Sequence, residues 1–139
     1  MANTTFNGPV ISQNGFIGGH QVSTSNAINA TGTATAAQVA TGYITSTSAA
    51  ATTITLPTGT LLGAALGASQ GTVLDLFIDN TAGANTVTVA VATNGILSTA
   101  AADTAGSFGD LTIASGATGV GCFRIMFSSP TAYVFTRTA

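Results

Sequence analysis

The chain has 139 residues, enough for one domain, and only six carry a full charge: two Arg and four acidic residues, all of them Asp. At 4% charged it lies far below the roughly one-quarter of an ordinary soluble domain, and a net charge of −2 leaves no basic patch for nucleic acid or an anionic membrane surface. A hydrophobic content of 45% argues against disorder, yet no apolar run approaches the ~18–20 residues of a membrane-spanning helix, and Met1-Ala2-Asn3-Thr4-Thr5 starts no secretory signal.

Residues 1–32 are polar and rich in Asn, Gly and Ser, with isolated Phe6, Val10, Ile11, Phe16 and Ile17. Their alternation is poor, and Asn7-Gly8-Pro9 and Asn14-Gly15 are turn signals. The segment reads as an extended N-terminal arm that anchors on a neighbour by those five side chains. The β domain is expected to follow over 33–139.

Val39, Tyr43 and Ile44, among Thr and Ala, predict a strand within Ala34–Thr47. Thr52 to Leu56 alternates with period two and stops at Pro57, which has no N–H to give a ladder. Leu61, Leu62, Ala65 and Leu66 lie near helical spacing. Gly63 and Gly67 weaken that helix to one or two turns, capped by Thr58 or Thr60.

Val73 to Asp79 places Leu74, Leu76 and Ile78 on one face and Val73, Asp75, Phe77 and Asp79 on the other. Thr86 to Val91 alternates strictly, and with Gly83 in the intervening turn the two segments predict a hairpin. Asn94-Gly95 turns the chain again before a short strand at Ile96 and Leu97; Ala100 to Gly109 is a loop; Leu111 to Ile113 is a strand. Gly121 to Ser128 sets Phe123, Ile125 and Phe127 against Cys122, Arg124 and Met126. Ser129-Pro130 breaks it, and Thr131 to Arg137 ends the fold with Val134 opposite to Tyr133 and Phe135.

About eight short strands between turn signals predict an all-β fold, a jelly-roll-like β-sandwich. Thr, Ala and Ser keep its outer faces polar without charge. Natural sheets guard their edges with Lys and other charges. This chain lacks them, so either its own loops or a neighbouring subunit covers the edges, and the neighbour is the preferred expectation.

The residues that carry chemistry are sparse. Asp75 and Asp79 share a strand face about 13 Å apart at ~3.3 Å per residue, too far for a shared ion. Asp103 and Asp110 lie in or beside the loop Ala100–Asp110, which has too few closely spaced ligands for calcium. His20 has no second His, Glu or nearby Cys to make a zinc site. Cys122, the single cysteine, has no base nearby in sequence and reads as a small buried apolar residue. Arg124 is placed to pair across strands with Asp75 or Asp79. No catalytic, cofactor or metal residues are predicted, and an enzyme is not expected.

Ile54-Thr55-Leu56-Pro57, Gly71-Thr72-Val73-Leu74-Asp75-Leu76-Phe77-Ile78-Asp79-Asn80, Ala82-Gly83-Ala84-Asn85-Thr86-Val87-Thr88-Val89 and Cys122-Phe123-Arg124 together resemble small tailed-bacteriophage head-decoration (cement) proteins. The opening Thr5-Phe6-Asn7-Gly8-Pro9-Val10-Ile11-Ser12-Gln13-Asn14-Gly15-Phe16 is similar to the N-termini of small marine-phage structural proteins. The resemblance implies a trimeric jelly-roll-like protein that clamps capsid subunits, and it supplies no catalytic residues. The expectation is therefore a homotrimeric cement protein on the outer capsid surface of a virion assembled in the host cytoplasm. Its partners would be the major capsid protein and its own copies, with no cofactor, nucleic acid or membrane. A fibre or spike tip that binds a receptor is the alternative; the absence of Trp weighs against a glycan site.

Overall fold

The computed structural model describes residues 26–97 and 111–138. In chain order the elements are β1 (Gly32–Thr33), α1 (Ala36–Ala40), β2 (Tyr43–Thr45), β3 (Thr52–Thr55), α2 (Gly59–Leu66), β4 (Val73–Asp79), β5 (Val87–Ala90), β6 (Gly95–Leu97), β7 (Thr112–Ile113), β8 (Val120–Ser129) and β9 (Ala132–Arg137). Two sheets form, one in the order β1-β3-β5-β7 and one in the order β2-β4-β8-β9-β6. The all-β, two-sheet architecture is the expected one. Its pairings are mixed. β1–β3, β2–β4, β3–β5 and β6–β9 are parallel, and β4–β8, β5–β7 and β8–β9 antiparallel. The two antiparallel Greek keys of a jelly roll are not what these pairings build.

The inner faces follow from alternation. Leu76 and Ile78 of β4, Phe123, Ile125 and Phe127 of β8, and Tyr133 and Phe135 of β9 are buried, as are Ile54, Val87, Val89 and Ile113 of the facing sheet. Each such side chain contributes about 1.5–3 kcal/mol on burial. Phe123 stacks on Phe135 with ring centroids 5.0 Å apart, and Phe127 tilts against Tyr133 at 5.8 Å.

The Tyr133 hydroxyl donates to the Pro57 carbonyl over 2.9 Å, which satisfies a buried polar group. Burial pushes the Tyr133 phenol up from 10.0 to about 12. A group raised on folding stabilises fully below its unfolded value and loses that contribution as pH climbs to the folded one. The contribution of Tyr133 should therefore be constant below pH 10 and fall by roughly 3 kcal/mol towards pH 12, at ~1.4 kcal/mol per unit. Denaturant midpoints across that window, with Tyr133→Phe flattening most of the slope, check this. The exposed Tyr43, raised by its hydrogen bond to Asp79, supplies a smaller slope of the same sign.

Two helices lie against each other, and α2 also touches β9. α2 matches its expected length and its Thr58 cap: Leu61 N donates to Thr58 Oγ1 over 3.3 Å. Gly67 ends it in the left-handed region at φ 60°. α1 is a correction, because a strand was expected from Ala34 to Thr47. Only Tyr43–Thr45 is strand. Thr35 and Gln38 form a capping box that starts a helix instead, with Gln38 N donating to Thr35 Oγ1 at 3.2 Å and Thr35 N to Gln38 Oε1 at 2.9 Å. Val39 on that helix is fully buried.

The expected hairpin of β4 and β5 is also corrected. β4 belongs to the five-stranded sheet and β5 to the four-stranded one. The link 80–86 is an arch between sheets, anchored by Asn80, whose side chain is fully buried. Its Nδ2 donates to Asn85 O at 2.8 Å, to Ala114 O at 3.0 Å and, more weakly, to Ile113 O at 3.4 Å. The end of β4 is thereby tied to β7 in the opposite sheet.

The folded domain starts earlier than residue 33. Ala27 forms a parallel bridge with Thr45, Ile28 packs on the core, and β1 opens at Gly32. This early stretch also guards edges without charge. Thr53 N donates to Thr31 Oγ1 at 3.1 Å and Thr47 N to Asn29 Oδ1 at 2.8 Å. Side-chain oxygens from the chain itself thus occupy two main-chain donors for which a neighbour was expected.

Candidate protein interface

The outer face of the five-stranded sheet is built by the side chains that alternation turns away from the core. β2 and β4 set Tyr43 beside Phe77, and β8 sets Cys122 on the other side of Phe77. The next row outward is Asp75, Arg124 and Thr136, and beyond it Val73, Met126 and Val134. On the far side of the Phe77 row, Thr45, Asp79 and Val120 are neighbours. Among the described residues five large hydrophobics are exposed, and four of them, Tyr43, Val73, Phe77 and Val120, lie here; the fifth is Leu61 on α2. Phe77 is 44% exposed and Val73 53%, in the same strand whose Leu76 and Ile78 are fully buried. Single exposed hydrophobics are common and need no explanation, but these four share one face of one sheet.

Among the described residues this face carries one ion pair and one further carboxylate, Asp79. Arg124 Nε donates to Asp75 Oδ1 at 2.7 Å and its terminal nitrogen to Asp75 Oδ2 at 2.9 Å, a two-pronged contact. The Arg124 hydrogen bond holds the Asp75 carboxyl below its usual value. Asp75 wins over Asp79 because it stands directly opposite Arg124, whereas Asp79 stands opposite Val120. Asp79 instead accepts from the Tyr43 hydroxyl at 2.6 Å and from Thr81 Oγ1 at 2.7 Å, which lowers its pKa as well. The ion pair is solvent-exposed, so it adds little to the stability of the fold. Its greater consequence is for docking. A partner that covers this face meets Asp75 and Arg124 neutralised by each other, and must leave Asp79, hydrogen-bonded but without a cation, in water or supply its counter-charge. Arg137, by contrast, donates to Thr112 O at 3.0 Å and lies over the Phe123 ring.

Phe6, Val10, Ile11, Phe16 and Ile17, the expected anchors of the arm, lie outside the described residues, as do His20, Asp103 and Asp110. Cys122, expected to be buried, is half-buried, because β8 turns its even-numbered side chains outward next to Phe77. No cluster of three His, Cys, Asp or Glu that would suit a metal ion occurs among the described residues. The Tyr43–Phe77–Cys122 row was not singled out from sequence. Its signal was present in the parity of β4, which puts an aromatic on the face with two aspartates.

No helix among the described residues is long and apolar enough to cross a membrane. A scan against protein-family models gives no match, and searches of curated proteins and of solved structures give none either.

Proposed function

We propose that this chain is a structural subunit of a virion, a capsid decoration protein that acts as a homotrimer on the outer surface of the head. One observation carries the assembly part of the reading: the contiguous face of Tyr43, Phe77 and Val73, on which Arg124 and Asp75 neutralise each other and Asp79 is hydrogen-bonded by Tyr43. The placement on a virion comes from the sequence resemblance. In this reading the sheet face makes contact between copies. The arm, through Phe6, Val10, Ile11, Phe16 and Ile17, engages the major capsid protein. Each weak contact is multiplied by the number of copies, so modest affinities suffice.

The test uses purified protein and heads stripped of it. Native mass measurement should give a trimer. Phe77→Lys places an unpaired charge in the contact and should weaken trimerisation at least about tenfold per contact, since ~1.4 kcal/mol is a factor of ten. Deleting residues 2–19 should leave the trimer folded and abolish its binding to heads. A wild-type protein that stays monomeric and ignores heads would end the proposal. Truncated protein that still decorates heads at full occupancy would remove the arm from it.

A further inference from the structure

Four polar side chains are buried among the described residues: Ser46, Ser48, Thr52 and Asn80. All stand at one end of the sandwich, where β2 and β4 finish and β3 starts. Two are satisfied locally. Ser48 Oγ donates to Ala50 O at 2.9 Å, and Thr52 Oγ1 donates to the same oxygen at 3.1 Å. The other two differ. Ser46 is 1% exposed and Asn80 0%, yet Ser46 Oγ and Asn80 Oδ1 have no hydrogen-bond partner among the described residues. Buried polar atoms in folded proteins are paired, with protein or with ordered water.

The ladder brings these two residues side by side. β2 and β4 are parallel, with Ile44 the register partner of Ile78 and Thr45 of Asp79. Ser46 N donates to Asp79 O at 2.8 Å, so the ladder runs on towards Ser46 and Asn80. Both keep the inward parity of the fully buried Ile44 and Ile78. Adjacent strands lie about 4.8 Å apart, which suits a water that makes two hydrogen bonds of ~2.8 Å.

The Asn80 amide is oriented by its nitrogen. Nδ2 donates to Asn85 O, Ala114 O and Ile113 O, and exchanging the two amide atoms would set an oxygen against three carbonyls. Ala114 O lies by Gly119, on the β8 side of Asn80. Oδ1 is the other prong of the amide. Gly83 packs on it, and the next residue, Ala84, donates to Ser48 O at 3.0 Å. Oδ1 therefore faces the segment that Ser46 begins.

We propose that Ser46 Oγ and Asn80 Oδ1 hold one internal water between them. Oδ1 only accepts, so the water donates to it, and the Ser46 hydroxyl donates to the water. A buried water makes two to four such bonds. A cation does not suit the place. The adjacent carboxylate, Asp79, is turned to the outer face, where Tyr43 and Thr81 hold it, and a buried cation without a counter-charge is far costlier than a neutral molecule. Through this water the Asn80 clamp between β4 and β7 extends to the end of β2. The site is independent of any capsid.

Two measurements on the full chain test it. A crystal structure that shows ordered solvent should place one water within about 3.2 Å of both atoms. In solution, oxygen-17 relaxation dispersion counts long-lived internal waters. Ser46→Val fills the space with methyl groups and offers no hydroxyl, so the count should fall by one. Electron density with no water between the two atoms, and the Ser46 hydroxyl turned to a main-chain carbonyl or directly to Asn80 Oδ1, would overturn the proposal. So would a count that a folded Ser46→Val variant leaves unchanged.

Discussion

Gly63→Ala should destabilise the protein by about 2–3 kcal/mol, although alanine is the better helix former by ~1 kcal/mol. Gly63 is buried in α2 at the point where the helix meets the turn between β8 and β9. A Cβ there would collide with the Pro130 carbonyl and press on Phe127 Cε1. Gly59, one turn earlier, stands in the same relation to the Thr131 carbonyl. Neither side is free to retreat. Tyr133 N donates to Asn94 O at 3.0 Å just beyond the turn, and the Tyr133 hydroxyl holds Pro57 just before the helix. Both obstacles are backbone, which moves only with the sheet. Gly67→Ala is the informative contrast. Nothing lies within 4 Å of its Cβ position, and its cost comes only from φ 60°, which is about 1–2 kcal/mol for an L residue. Thermal and denaturant unfolding of the two variants should rank Gly63→Ala as the more damaging. Equal or greater stability for Gly63→Ala would mean that the helix does not press on the turn.

These glycines show what could and could not be read from the sequence. Gly63 and Gly67 were read as weaknesses of a helix, because propensity is a local property. Their reasons are tertiary for Gly63 and conformational for Gly67. The strands with period-two alternation, β4, β5 and β8, were legible to within a residue or two, since one face had to be apolar. α1 was not, because five residues of Ala, Gln and Val show no helical period; the readable sign was the Thr35–Gln38 spacing of a capping box. The pairing of β4 with β5 was inferred from adjacency, the usual rule for consecutive strands. Asn80 decides otherwise, and an asparagine before Thr-Ala-Gly reads as part of an exposed turn, not as a buried clamp. The candidate interface was half-legible in the same sense. Parity assigned Phe77 and Val73 to the outer face of β4, but which strands lie beside them depends on pairings across long connections, parallel with β2 and antiparallel with β8. Only the fold brings Tyr43 and Cys122 to either side of Phe77.

Asn80→Ala should cost about 3–4 kcal/mol, on the scale of one to three for each buried polar group left without its partner. The Nδ2 group is the shared donor for carbonyls of Asn85 in the arch and of the adjacent Ile113 and Ala114 at the end of β7, two places brought together only in the folded state. Truncation leaves those oxygens without their donor and opens a void where Gly83 closes over the side chain, the approach so near that a Cβ on Gly83 would strike Asn80 Oδ1. The damage should be regional. Asn80 N still donates to Gly119 O at 2.6 Å, so the β4–β8 ladder has no reason to fail. Hydrogen exchange should accelerate over 80–87 and 112–119 and stay slow in β8 and β9, while the denaturation midpoint falls. Asn80→Asp separates lost hydrogen bonds from lost volume. It keeps the shape but puts a carboxylate against three carbonyls, so burial and those acceptors raise its pKa. A raised pKa gives stability that is present below the ordinary carboxylate value and lost as pH rises. Asn80→Asp should therefore be less stable than Asn80→Ala at neutral pH and recover towards it on acidification to about pH 4, where a protonated carboxyl donates again. If Asn80→Asp were as stable as the parent at neutral pH, the clamp between the two sheets would have to be sought elsewhere.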